Sequence, residues 1–146
     1  MAAPQDFKNH ARYHPPFHFV LIPLLLLNLI TSIHATIHQW PHDRGLNLWW
    51  IFLSVMLILI AGNGRASALK AQDRVIRLEE RLRLAALLPA AERHLIDQLS
   101  VRQLIALRFA SDDELPALVH RTLEQGLDPK TIKKSIVKWR PDYHRV

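Results

Sequence analysis

Histidine has the widest chemical reach of any residue type in this chain, which holds nine of them among 146 residues. A neutral imidazole ligates metals and haem, and a protonated one is a cation near neutral pH. His34 and His38 stand four residues apart in an apolar run. A helix would place them one turn apart on one face, a spacing that can hold a metal, a haem or a chlorin. Ligation usually takes more than two donors, and neither an acidic third ligand nor a haem-attachment motif accompanies the pair. His34 and His38 are therefore the one candidate cofactor contact, outweighed by a plain reading as histidines at a membrane interface. His10, His14 and His18 repeat the spacing, but Pro15 and Pro16 interrupt the helix that would align them. No metal and no cofactor is expected.

The second chemical pattern is Lys130, Lys133, Lys134 and Lys138 near the C-terminus. At helical spacing these form a basic face suited to phosphate, whether of lipid headgroups or of nucleic acid. Base readout would call for Asn, Gln or clustered Arg, which are absent there, so nucleic acid is the disfavoured partner and a solvated face the simplest reading. Catalysis has less to build on. The chain has no GxSxG, HExxH or phosphate-loop motif, and with no cysteine it has neither thiolate ligands nor a thiol nucleophile. Gly62-Asn63-Gly64 is too short and misplaced for a nucleotide loop and reads as a flexible point. Asp112, Asp113 and Glu114 are expected to act as helix-start acids. No catalytic residue is nominated, and the chain is not expected to be an enzyme.

The elements carrying these residues follow from a segregated composition. The chain is 49% hydrophobic with a net charge of +6, yet residues 19–37 and 48–61 are almost free of charge while the stretch from Arg65 onward is dense in it. That segregation predicts two membrane-spanning helices over about 18–38 and 47–64, joined by a short loop around Pro41 and Gly45 and bracketed by Trp40, Trp49 and Trp50. Residues 1–17 read as an irregular arm, and no cleavable signal is expected because the start is polar and His-rich. In the first span Asn28, Thr31, Ser32 and Ala35 form a small, polar stripe for helix packing, with Ser54 as a partner for Asn28. The loop carries Arg44 alone, whereas Lys8 and Arg12 precede the first span and six Arg or Lys residues from Arg65 to Arg83 follow the second. Both termini should then be cytoplasmic.

Beyond the hairpin, residues 65–88 are expected as a juxtamembrane amphipathic helix. Its apolar positions Ala68, Ala71, Val75, Leu78, Leu82 and Ala85 alternate by three and four residues, a heptad-like stripe. A face packed on the helix's own domain or on the membrane is preferred to a coiled coil. Residues 89–146 should form a small helical domain of short helices. These are expected over Ala90–Leu99, from a Ser100 cap to about Phe109, from a capping box at Ser111-Asp112-Asp113-Glu114 to Gly126, and from Asp128-Pro129 to about Trp139. The expected fold class is all-α: a two-helix transmembrane hairpin followed by a small helical cytoplasmic domain.

Three segments carry a resemblance: Phe7-Lys-Asn-His-Ala-Arg-Tyr13 with His18-Phe-Val20, Arg102 through Leu115, and Ile132-Lys-Lys-Ser-Ile136 with Trp139-Arg-Pro-Asp-Tyr143. Through them nearly the whole chain resembles a family of uncharacterised bacterial proteins of about 140 residues, a domain-of-unknown-function family with two N-terminal transmembrane helices. The resemblance implies topology and brings no activity. The expectation is a non-enzymatic protein of the bacterial inner membrane, an accessory or scaffolding subunit whose partners are membrane lipids and other membrane subunits or further copies of itself. The alternative is a membrane-tethered regulator that binds nucleic acid or anionic lipid through the basic C-terminal helix.

Overall fold

The structure, a computed structural model, describes residues 6–7, 14–39 and 42–142. Most of the expected arm falls outside those residues, as do Lys8, His10, Arg12, Trp40 and Pro41. The regular structure of the described residues is all helical, with one isolated antiparallel bridge between Ala110 and Trp139. It divides into two compact units, one drawn from Tyr13–Leu69 and the other from Lys70–Val146 together with the short piece at 6–7.

In the first unit, helix begins as a π-helical stretch, Pro16–Leu21, and continues as α1, Ile22–His38. Proline explains the wide opening turn. Pro23 has no N–H to give the carbonyl four residues earlier, so hydrogen bonding shifts by one residue. α2 is Arg44–Leu87, a 44-residue helix about 66 Å long at 1.5 Å per residue. Two helices are long and apolar enough to cross a membrane, Pro16–His38 and the first part of α2.

α2 corrects several sequence expectations at once. Gly45, expected in the loop, lies in the first turn of α2, and the turn is made instead by residues up to Asp43, whose φ of 50° is one that Asp tolerates. Gly62-Asn63-Gly64, expected as a flexible point, is continuous helix. Each glycine costs about 1 kcal/mol of helix propensity, too little to break a helix that a long apolar run sustains. Residues 65–88, expected as an amphipathic helix, are helical to Leu87 and follow the apolar stretch without a break in helix. They are the end of α2, which stops just before Pro89.

The second unit packs the end of α2 with a 3₁₀ stretch, Ala90–Gln98, and with α3 (Val101–Leu107), α4 (Leu115–Glu124) and α5 (Pro129–Ser135). Leu84, Leu104, Leu107, Phe109, Leu115, Val119 and Ile132 are almost fully buried at its centre. Burying each such side chain stabilises the unit by about 1.5–3 kcal/mol. The segment 90–98 was expected as an α-helix and is 3₁₀ instead, which brings Ile96 into the core and leaves the chain extended at Leu99.

Helix ends account for the rest. Ser100 and Gln103 form a reciprocal capping box at the start of α3. The box expected at Ser111 to Glu114 does not form, since α4 starts after Glu114 with no side-chain cap. Beyond α4 and its cap Gln125, Gly126 turns the chain at φ +59°, with the Leu127 amide donating to the Thr122 carbonyl at 3.0 Å, a glycine closure onto the third residue from the helix end. Asp128 caps α5 by accepting from the amides of Thr131 at 3.1 Å and Lys130 at 3.3 Å.

α5 is shorter than its sequence suggests. It ends at Ser135, and Ile136 turns extended, so Lys138 and Trp139 are off the helix. The segment returns to the core: Ser111 donates to the Lys138 carbonyl at 3.0 Å, Arg140 donates to the Phe109 carbonyl at 2.7 Å, and the Phe109 and Trp139 rings stack at 5.1 Å.

Candidate functional site

The hairpin unit holds its two helices together through a polar seam. Asn28 Nδ2 donates to Ser54 Oγ at 2.7 Å, and Ser54, fully buried, donates in turn to the Trp50 carbonyl at 2.7 Å. Ser32 stands beside Ser54 at 3.4 Å and bonds the Asn28 carbonyl at 2.7 Å. Asn28 thus meets the partner that its sequence position suggested. Thr31 is different: it is exposed, and its hydroxyl folds back on the Leu27 and Asn28 carbonyls. The packing line therefore runs through Asn28, Ser32 and half-buried Ala35, not through Thr31.

That line extends further toward the loop than composition indicated. Asn47, 7% exposed, reaches Gln39 at 3.5 Å. On α2 the inward positions Asn47, Ile51, Ser54, Ile58 and Ala61 alternate by four and three, the spacing of a helix seam. Outside the seam the surface is apolar, with Leu24, Ile30, Phe52, Leu59 and Ile60 all more than half exposed. Only 6% of the most apolar window of the first helix is buried, and 11% of the second.

His34 and His38 lie together on the exposed side of α1, their rings 4.2 Å apart and tilted by 41°. No third donor joins them: among the described residues no group of three His, Cys, Asp or Glu is placed to hold a metal ion. His18 sits on the backbone of His14, with its Nδ1 3.2 Å from that amide nitrogen. His10 lies outside the described residues.

The four lysines do not form one free face. Lys133 is half-buried over the Phe109 ring at 5.7 Å, and Lys134 stands over the Phe7 ring at 5.8 Å. Lys138 is off the helix and 3.5 Å from Asp113. Lys130 extends from the exposed side of the α5 start. The acids expected only to start a helix are long-range partners: Asp112 accepts from Arg83 Nε at 2.7 Å, and Glu114 accepts from the amides of Val137 and Lys138, each at 3.2 Å.

The sequence reading missed the most buried charge among the described residues. Glu80, 5% exposed, receives Arg83 Nη1 at 3.1 Å and lies 3.8 Å from Arg140. Arg83 also donates to the Ala110 carbonyl at 2.7 Å, tying α2 to the bridge that closes the unit. Burial raises the Glu80 carboxyl above its ordinary value, with Arg83 and then Arg140 and Arg108 opposing that shift. Glu79 and Glu80 are adjacent in sequence, yet only Glu80 is buried. The signal lay in register, since Ile76, Glu80 and Leu84 recur every fourth residue on the core side.

This arrangement gives surfaces for packing and anchoring, with the chemically versatile side chains spread apart or already partnered. No curated protein and no solved structure matches the chain. One family model does, over residues 1–146, in agreement with the resemblance carried by the segments around Phe7, Arg102 and Ile132, and the chain belongs to that family of unknown function, DUF6526.

Proposed function

We propose that the chain is a non-enzymatic, multi-pass protein of the bacterial inner membrane, an accessory or scaffolding subunit whose hairpin holds a small helical unit at the cytoplasmic face. The observation that carries this reading is the band of apolar side chains left half-exposed or more on both long helices, Phe19, Leu24, Ile30, Leu59 and Ile60 among them, around a satisfied polar seam. Such a surface is costly in water and natural in lipid or against neighbouring membrane helices. Both termini are assigned to the cytoplasm because Arg44 is the one Lys or Arg between the spans, while Arg65, Lys70, Arg74 and Arg77 follow the second.

Two tests apply. Alkaline carbonate washing should leave the protein in the membrane pellet, and release into the supernatant would overturn the membrane reading. Gentle detergent extraction followed by mass spectrometry should then recover a stoichiometric membrane partner. A protein that emerges alone would overturn the subunit role while leaving the anchor in place. The alternative, contact with anionic lipid or nucleic acid through Lys130, Lys133, Lys134 and Lys138, has less support. Aromatic and carboxylate neighbours already engage three of these.

A further inference from the structure

Within the heptad-like stripe of α2, Ala85 packs against the core of the helical unit, whereas Ala71, Val75, Leu78 and Leu82 are exposed. Val75, Leu78 and Leu82 are 54%, 61% and 64% exposed. The opposite face of α2 carries Ile76, Glu80 and Leu84, followed by Leu88 just past the helix end, all four at 6% exposure or less, and Leu84 and Leu88 join the unit's own core. An apolar stripe at heptad spacing, facing away from an already satisfied core, needs an occupant.

We infer that the occupant is the same stripe on a second copy of this chain, in a parallel, in-register two-stranded coiled coil. Charge complementarity selects this partner. With Val75 and Leu78 as the two inward positions of a heptad, Arg74 and Glu79 flank the seam on opposite sides, five residues apart. In a parallel pair each Arg74 then faces Glu79 of the other copy, and two-fold symmetry makes the contact twice. An antiparallel pair would instead set Arg74 and Arg81 against their own kind. Both Arg74 and Glu79 are exposed, and neither has an ion-pair partner among the described residues. The parallel sense rests on the membrane reading above, because hairpins inserted alike in one bilayer send their α2 helices out in one direction.

The full chain has no cysteine, so single-cysteine variants test this in native membranes with copper-phenanthroline as oxidant. Leu78→Cys and, as a second inward position, Leu82→Cys should form disulfide-linked dimers. Exposed positions off the stripe, Asp73→Cys and Arg77→Cys, should give several-fold less. In the Leu78→Cys background, Arg74→Glu should reduce cross-linking several-fold, and adding Glu79→Arg should restore it. Equal cross-linking at all four positions, or monomer at both inward positions, overturns the coil. Monomer in which phospholipid vesicles shield Leu78→Cys from maleimide also overturns it and assigns the stripe to the membrane. Carbonate extraction of the same samples separates the two claims: protein in the pellet but monomeric removes the coil alone, and protein in the supernatant removes the membrane reading whatever the cross-linking shows.

Discussion

The hairpin and the helical unit solve opposite problems with the same secondary structure. Between α1 and α2 the inside is polar, with Asn28, Ser32, Ser54 and Asn47 meeting there, and the outside is leucine, isoleucine and phenylalanine. In the helical unit Leu84, Leu107, Phe109 and Ile132 are inside, and the ion pairs of Arg81 with Asp97 and Lys138 with Asp113 are outside. Apolar burial drives folding in water but gives nothing between helices already in lipid, where close approach and hydrogen bonds take over. The inversion between the two regions is what the membrane insertion proposed above requires.

The largest expected effect comes from exchanging the logic of one region for the other. Ile60→Lys on the outer face of α2, where the side chain is 62% exposed, would put a charge in hydrocarbon at about 2.5–3.5 kcal/mol on insertion scales. It should shift protein from the carbonate-resistant pellet to the supernatant. Phe109→Ala, at 0% exposure, should cost the helical unit about 3–5 kcal/mol by thermal unfolding of the detergent-solubilised chain and leave membrane retention unchanged. If the two variants exchanged phenotypes, the division between the regions would be wrong.

A middle-sized effect concerns the buried ion pair. Arg83→Met removes the main partner of Glu80 and the donor to the Ala110 carbonyl. The expected loss is about 3 kcal/mol, the lower end for breaking a buried pair, because Arg140 still stands 3.8 Å from the carboxylate. Glu80→Gln should be much milder and should change the pH profile. Burial raises the folded-state carboxyl above its ordinary 4.5, so the folded chain holds this proton more tightly than the unfolded chain. The stability Glu80 contributes is full below 4.5 and is lost as pH rises through the raised value. Glu80→Gln, which mimics the protonated form, should gain on the wild type across that window. A gain on acidification instead would contradict the assignment. The smallest effects are expected at Asn28→Val, about 0.6–1.7 kcal/mol in hairpin stability, and at Ser100→Ala, about 1 kcal/mol from the lost cap, both read by thermal unfolding in detergent.

Much of this fold was legible because it depends on local order. Charge segregation marked two apolar helices, Asp128-Pro129 and Gly126 marked helix ends, and a stripe of small and polar residues suggested Ser54 as a partner for Asn28. What was not legible depends on distant partners. Ser100-Val-Arg-Gln103 and Ser111-Asp-Asp-Glu114 are equivalent as patterns, but only the first becomes a box, because the amides of Val137 and Lys138 claim the Glu114 carboxylate. α5 stops at Ser135 because Trp139 stacks on Phe109 and Arg140 bonds its carbonyl, contacts across thirty residues of chain. The exposed stripe on α2 was visible as a heptad. Which side of the helix the core would take was not, since Ile76, Glu80 and Leu84 include a carboxylate that a hydrophobic pattern skips.

Topology tests the central claim most directly, and the absence of cysteine makes it clean. His42→Cys in the loop and Glu124→Cys at the end of α4 are both exposed positions. Intact spheroplasts treated with a membrane-impermeant maleimide should label His42→Cys at once and Glu124→Cys only after lysis. Equal labelling of the two before lysis, or labelling of Glu124→Cys alone, would contradict a hairpin that crosses the membrane with its helical unit in the cytoplasm.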